Sequence, residues 1–290
     1  MSFVITVASP EIVVQVSETR LSSVATRSLV SDTQRKSLIV MGKQAHFVLG
    51  WTGLARTGNL SHDTGNWLWQ RLYEMNAVEL PLVQILGDLT GLATQDFLAL
   101  PESIRNKRCE FHLAGWHMVA GVAVPFTCLI YNDLTFKALQ GHRLPIFESA
   151  AVASPQFMYC LGSFQAVRVP FLVRAMGDID QAALRNHFRG LKYLLKKGVE
   201  PTRICAVCRQ IVLEAARRRP KTVGRNLIEV EMDNKGAIRC SYYPDGDQET
   251  MLIPDILSAH GALIKGTVRH NIVGDQINVQ LRGSRITRAE

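Results

Sequence analysis

The second residue of the chain is a serine, and a serine at the start of a mature chain carries two groups that are useful for catalysis. Removal of Met1 would leave Ser2 with a hydroxyl nucleophile and a free α-amine. The amine has an unperturbed pKa of about 7.7–8.0, so it can accept the hydroxyl proton near neutral pH. Such a site also needs a cation near the hydroxyl, a carboxylate that holds the cation, and backbone N–H groups that receive an oxyanion.

Four short segments near the start of the chain carry a family resemblance in their order. They are an apolar strand from Ser2, a strand at Ile12–Val16 that runs into Ser-Glu-Thr-Arg-Leu-Ser (17–22), a third strand opened by Arg35-Lys36, and a fourth that ends in Gly-Trp-Thr-Gly-Leu-Ala (50–55). In this order the segments resemble the start of a proteasome β-type subunit, an N-terminal nucleophile (Ntn) hydrolase, in a divergent bacterial-type form. The resemblance implies a hydrolase of peptide or amide bonds that attacks with Ser2.

The resemblance also assigns roles to further residues. Glu18 stands at the offset from the nucleophile at which the family carries an Asp, and Lys36 matches the activating Lys if the preceding connection is two residues longer. Gly53 would supply the oxyanion N–H, Ser163 resembles a Ser beside the nucleophile, and Thr222 begins the equivalent of a Ser-Gly-Gly turn. The predicted catalytic residues are Ser2, Glu18, Lys36, Gly53, Ser163 and Thr222.

Several positions differ from the family pattern and leave alternatives open. The nucleophile is Ser instead of Thr, Glu18 is one methylene longer than Asp, and Arg219 stands where an ungapped reading expects a second carboxylate. Phe164 also replaces a usual Gly. A catalytically inactive subunit that acts in assembly or binding is therefore the alternative prediction. Thr6 is an alternative nucleophile, although it lies within a strand and no Gly precedes it.

The elements that position these residues alternate in blocks. Apolar and β-branched runs up to residue 51 indicate strands, and helical periodicity starts near Asn66 and again near Pro81. A second strand block over 109–131 precedes two more helices, and a hairpin around 233–236 closes the pattern. The block order predicts an α+β fold, a four-layer αββα sandwich of two antiparallel sheets between helical layers, which the resemblance also implies.

The pattern divides the chain into two parts. Residues 1–243 form the predicted hydrolase domain, over which the resemblance extends. Residues 244–290 contain apolar stretches and an alternating run at Ile277, Val279 and Leu281. We therefore expect a C-terminal extension that contains strands and packs on the core or on a neighbouring subunit.

Composition limits the function classes. No apolar run has the roughly 18–20 residues of a membrane-spanning helix, and no basic segment opens the chain, so we expect a cytoplasmic protein without membrane contact. Neither metal nor cofactor is expected, because Cys205 and Cys208 lie in an apolar helical pattern and His112 and His117 lack ligand companions.

The sequence bears on three kinds of partner. The resemblance implies a peptide or small amide substrate, and it implies a homo-oligomer, as a ring or a stack of dimers. The net charge of +8 and the basic run Arg217-Arg218-Arg219-Pro220-Lys221 permit nucleic-acid binding. Nucleic acid is nevertheless not an expected partner, since no RNA-binding aromatic motif or helix-turn-helix pattern accompanies the run.

Overall fold

The computed structural model describes residues 3–22, 29–32, 34–54, 63–133, 153–163, 171–177, 181–245, 250–252, 254–258, 263–264, 267–269 and 277–281. Within these ranges the strands are β1 (Phe3–Ala8), β2 (Ile12–Glu18), β3 (Leu21–Ser22), β4 (Leu29–Ser31), β5 (Ser37–Met41), β6 (Ala45–Gly53), β7 (Cys109–Val119), β8 (Val122–Asp133), β9 (Ala153–Ser163), β10 (Leu172–Gly177), β11 (Leu227–Asp233), β12 (Ile238–Tyr243), β13 (Thr250–Leu252), β14 (Asp255–Ser258), β15 (Leu263–Ile264), β16 (Thr267–Arg269) and β17 (Ile277–Leu281). The helices are α1 (Thr64–Glu74), α2 (Leu82–Leu98), α3 (Glu102–Arg105), α4 (Gln181–Lys196) and α5 (Pro201–Arg218).

Two large sheets form the centre of the molecule. The first has the strand order β10-β1-β2-β11-β12-β17, and the second has the order β15-β14-β5-β6-β7-β8-β9. Among the described strands of these two sheets the pairs are antiparallel except for β14 with β5, which is parallel. Strands β3 with β4 and β13 with β16 form two small separate sheets.

Alternation along the strands divides the buried side chains into layers. Phe3, Ile5 and Val7 of β1 pack against the apolar faces of α4 and α5. The opposite face of the first sheet packs against the second sheet, where Val13 and Val48 lie in one shared cluster. The other face of the second sheet packs against α1 and α2 through a large aliphatic and aromatic cluster. The fold is therefore the α+β, four-layer αββα sandwich that the sequence predicts.

The helices begin and end where local chemistry favours it. The Asp63 carboxylate accepts the N–H of Asn66 at 3.0 Å and caps α1. Helix α5 starts with Pro201, whose fixed φ suits the first helical position. Gly198, with φ of +63°, follows the end of α4. Among the described helices none is long and apolar enough to cross a membrane.

One strand of the first sheet was not predicted from the sequence. Strand β10 is interrupted in its apolar pattern by Arg174, which is buried in the sandwich at 7% exposure. Strands β14 and β17 pair with β5 and β12, so both large sheets receive a strand from the last part of the chain. The predicted boundary at residue 243 stays a prediction.

Candidate active site

A fully buried ion pair lies beside the start of the first strand. The Nζ of Lys36 donates to the Oε1 of Glu18, and neither side chain has exposed surface. Lys36 directly precedes β5, and Glu18 is the last residue of β2, so the pair joins the two sheets. Lys36 also donates to the carbonyl oxygen of Arg20. The two ions were both predicted site residues, and the fold places them in contact.

The carboxylate of Glu18 is held by backbone groups from three parts of the chain. Its Oε1 accepts the Phe3 N–H at 3.2 Å, in addition to the Lys36 ammonium. Its Oε2 accepts the Arg20 N–H at 2.6 Å and the Gly224 N–H at 3.0 Å. A carboxylate with this many donors is fixed in position, and its negative charge compensates a buried cation.

Burial and pairing act on Lys36 in opposite directions. Loss of solvent lowers the pKa of the Lys36 ammonium below its ordinary value, while the Glu18 charge and hydrogen bond raise it. Burial is the larger effect, so the net shift of the pKa is downward. The Lys36 ammonium is therefore the stronger acid when compared with a surface lysine.

The predicted oxyanion residue lies at the end of β6, next to the ion pair in the sheet. The Trp51 N–H donates to the Lys36 carbonyl at 3.3 Å, and Gly53 follows two residues later. Gly53 has φ of +95°, and a Cβ there would lie 2.0 Å from the Arg108 carbonyl oxygen. Only glycine fits this conformation and this close approach.

The turn that follows α5 packs directly onto Glu18. Thr222 is buried in that turn, where its N–H donates to the Arg219 carbonyl at 3.0 Å. The group that contacts Glu18 is the Gly224 N–H, two residues further on. The Arg219 side chain is exposed, so the structure does not bury this cation with Glu18 and Lys36.

Two further predicted site residues are Ser2 and Ser163. Ser2 lies outside the described residues, but it is bonded to Phe3, whose N–H contacts Glu18. Ser163 is the last residue of β9 and pairs with Phe126 of β8; its side chain is not described. Strands β6, β7 and β8 lie between β9 and β5, so the sheet does not bring the Ser163 backbone to Lys36.

A partly exposed ion pair that the sequence did not predict lies next to Glu18. Arg20 binds Asp32 with two hydrogen bonds, Nε to Oδ1 at 2.8 Å and Nη2 to Oδ2 at 3.0 Å. The hydrogen bond that Arg20 donates to Asp32 raises the pKa of Arg20. Arg20 also donates to the Pro220 carbonyl, so one side chain connects the strand after Glu18 with the turn after α5. No local sequence spacing relates these three segments.

A buried polar network extends from the site between the two sheets. The Ser17 and Ser37 hydroxyls lie 3.0 Å apart, and Ser37 donates to the Gln15 side-chain oxygen at 2.9 Å. The Gln15 amide then donates to the Thr6 hydroxyl at 3.1 Å. A Cβ on Gly50 would lie 2.8 Å from the Gln15 side chain, so that glycine provides the space for it.

A second charge cluster, in which Glu110 and Arg174 are buried and Arg108 is partly exposed, lies between the sheets. Arg108 donates to Glu110 at 2.6 Å, and the Thr52 hydroxyl donates to the same carboxylate at 3.3 Å. Burial lowers the pKa of Arg174 to about 10, against the attraction of Glu110. Burial, with a smaller contribution from Arg174, holds the pKa of His112 well below its ordinary value. This cluster fixes Thr52, the residue before Gly53.

The arrangement offers charged and hydrogen-bonding groups that could transfer protons or stabilise negative charge. It brings together a buried cation of lowered pKa, a fixed carboxylate and a glycine turn, beside the point where the chain starts its first strand. Among the described residues no cluster of three or more His, Cys, Asp or Glu side chains could hold a metal ion.

Comparisons with known proteins gave matches by structure alone. No family model matches the sequence, and no curated protein matches it. Similar solved structures include Anbu (ancestral beta-subunit) from Yersinia bercovieri, with a TM-score of 0.45 and 12% identity over 80% of this chain and 82% of that chain. Anbu from Hyphomicrobium sp. strain MC1 has a TM-score of 0.44, 12% identity and the same coverage. Similarity this low says nothing about activity.

These comparisons correct the family assignment made from the sequence. The assignment to the proteasome β-type subunits is wrong, because the similar solved structures are Anbu proteins, a distinct family, and no family model or curated sequence supports it. The assignment rested on short segments that form strands and turns of the layered fold. Such segments indicate the fold and do not distinguish the families that share it. The αββα layering rests on the packing described above.

Proposed function

We propose that the protein is an amide-bond hydrolase whose nucleophile is Ser2, exposed by removal of Met1. One observation carries the proposal: the Phe3 N–H donates to the same Glu18 carboxylate oxygen that binds the buried Lys36 ammonium. Ser2 is bonded to Phe3, so its α-amine and hydroxyl are carried by the residue directly before the one that contacts Glu18. A buried lysine of lowered pKa, so close to a chain start, favours nucleophilic catalysis.

In the proposed reaction the Ser2 α-amine is the general base. It accepts the hydroxyl proton as Ser2 Oγ attacks the amide carbonyl carbon, and the electron pair of the carbonyl moves to its oxygen. The tetrahedral intermediate then collapses to an acyl-ester, and the leaving amine takes the proton from the α-ammonium. Water, activated by the same amine, hydrolyses the ester and restores the free hydroxyl.

Lys36 and Glu18 support this reaction without leaving their positions. A lysine ammonium has three N–H donors, of which Glu18 and the Arg20 carbonyl accept two. We assign the third to Ser2 Oγ, where it stabilises the developing negative charge. Glu18 keeps Lys36 oriented, and we assign oxyanion stabilisation to the backbone N–H of Gly53. Loss of one such donor typically costs about 3–4 kcal/mol of transition-state stabilisation.

The test is covalent labelling of the intact protein by a β-lactone or epoxyketone probe, read by mass spectrometry. We expect Met1 to be absent and one adduct to form on Ser2. The Ser2→Ala variant should keep its thermal transition and lose the adduct. An adduct that survives in Ser2→Ala would show that another residue is the nucleophile.

One observation favours the alternative, a catalytically inactive subunit that acts in assembly or binding. Glu18 accepts hydrogen bonds from Phe3, Arg20, Gly224 and Lys36, so the ion pair can also be explained as a structural link between strands. This alternative predicts a folded protein that no probe labels. Homo-oligomer formation and a cytoplasmic location are compatible with both functions and remain proposals.

A further inference from the structure

The strand β14 lies next to the predicted catalytic lysine. Its residues Asp255–Ser258 pair in parallel with β5, and Asp255 aligns with Leu38, two residues after Lys36. Asp255 is buried at 5% exposure, and its Oδ1 lies 2.7 Å from the Nη1 of Arg35. An ion pair therefore joins β14 to the residue that directly precedes Lys36.

The segment around Lys36 is thus held from two sides. On one side the Trp51 N–H of β6 donates to the Lys36 carbonyl at 3.3 Å. On the other side lies β14, whose Ile256 packs between the two sheets and whose Leu257 packs beneath α1 and α2. The apolar clusters on the two faces of the second sheet therefore fix β14. This strand carries the carboxylate of Asp255, which pairs with Arg35.

We infer that the Arg35–Asp255 ion pair positions Lys36 against Glu18, so that a strand near the C-terminus is a working part of the site. Asp255 does not touch the reacting atoms in this account and is a positioning residue. The catalytic consequence rests on the proposed function, whereas the positioning itself does not.

The Lys36 ammonium must be held precisely relative to its acceptors. Lys36 donates to two acceptors, the Glu18 carboxylate and the Arg20 carbonyl, and neither its side chain nor that of Glu18 has exposed surface. A displacement of about 1 Å in a catalytic group can reduce a rate about a hundredfold. The Arg35–Asp255 charge pair resists such a displacement because Asp255 is anchored by the core packing of its neighbours.

The test compares variants of the full-length protein. Asp255→Asn removes the charge with little change of shape, and the double variant Arg35→Gln/Asp255→Asn removes both charges of the pair. Ile256→Val is the packing control: it thins the packing of the same strand and keeps the ion pair, so it shows how much a looser β14 alone changes the Lys36 segment. Glu79→Gln is the second control, because it removes the exposed Lys43–Glu79 pair at the other end of β5.

Two measurements read the outcome. Amide hydrogen exchange of residues 35–41 and 49–53 reports the positioning, and the rate and pH profile of probe labelling on Ser2 report its catalytic consequence. We expect exchange to rise about tenfold in both ion-pair variants, to rise less in Ile256→Val, and to change little in Glu79→Gln. We also expect labelling to slow about tenfold, with a shifted acidic limb of the pH profile, in the ion-pair variants alone.

The exchange and labelling results separate the positioning role from the proposed function. Exchange in the ion-pair variants that matches the controls would overturn the positioning role, and faster exchange with unchanged labelling would overturn its catalytic consequence. A wild-type protein that no probe labels would contradict the proposed function instead, and the exchange data would still decide whether Asp255 holds the Lys36 segment.

Discussion

The ammonium of Lys36 donates to the carboxylate of Glu18 where neither side chain has any exposed surface. Taking two ions out of water is costly, and mutual attraction offsets that cost only while both ions are present. The pair therefore makes each partner dependent on the other. The free energy of unfolding should be most sensitive to changes that remove one charge and leave its partner buried.

Glu18→Gln tests that dependence. The substitution keeps the shape of the side chain and leaves the buried Lys36 without its anion, so we expect the free energy of unfolding to fall by about 3–5 kcal/mol. Urea denaturation of both proteins at pH 7 measures the difference. Glu79→Gln, which breaks the exposed Lys43–Glu79 pair, should cost less than about 1 kcal/mol. Equal costs for the two variants would contradict a buried ion pair.

The lowered pKa of Lys36 predicts a pH dependence of stability. Between the pKa of the folded protein and the unfolded value of 10.5, the unfolded chain binds a proton that the folded protein lacks. The free energy of unfolding should therefore rise with pH in that window. Lys36→Met removes the titrating group, so its stability should lack this rise. Urea titrations from neutral to alkaline pH measure both slopes, and parallel slopes would refute the prediction.

Gly224→Ala should disturb the turn that contacts Glu18. The new Cβ would lie 2.7 Å from the Arg20 Cβ and 3.2 Å from Glu18 Oε2, so the turn must move away from the carboxylate. We expect a loss of about 1–3 kcal/mol in the free energy of unfolding. Gly190→Ala in α4 is the control: outside its chain neighbours and its own helix backbone, no heavy atom of the described residues lies within 4 Å of the new Cβ, and alanine favours the helix by about 0.5–1 kcal/mol. Thermal unfolding should move in opposite directions for the two variants.

His112 predicts a separate acid sensitivity. Its ring nitrogens are buried and have no hydrogen-bond partner in the part of the chain that the structure describes, and burial holds the pKa of the ring well below 6.5. Below pH 6.5 the unfolded chain binds a proton that the folded protein excludes, so stability should fall by up to about 1.4 kcal/mol for each pH unit. His112→Leu should remove this contribution. Urea denaturation at pH 7 and pH 5 tests it, and an unchanged difference between the two pH values would count against it.

Much of the fold could be predicted from local patterns. The apolar periodicity of α2, α4 and α5 comes from the single face that each helix buries, and the hairpin between β11 and β12 turns at Gly236, which has φ of +80°. The strand β10 escaped prediction because Arg174 interrupts its pattern. That guanidinium lies in the interior near Glu110, a partner that adjacent residues do not reveal.

The site could be predicted only in part, since its contacts join distant parts of the chain. Glu18 and Lys36 were selected by their order and offsets, and the fold places them in contact. The Gly224 N–H contacts Glu18 across 206 residues, and no local spacing indicates it. The same holds for Asp255 beside Arg35, which depends on a parallel strand pair. The roles of Ser163 and Thr222 stay predictions.

The most direct test of the central proposal is the intact mass of the purified protein before and after incubation with a β-lactone or epoxyketone probe. The proposal predicts a chain without Met1 that gains one adduct, while Ser2→Ala gains none and Lys36→Met reacts at least about a hundredfold more slowly. A protein that retains Met1, or one that loses it and still does not react, would contradict Ser2 as a working N-terminal nucleophile.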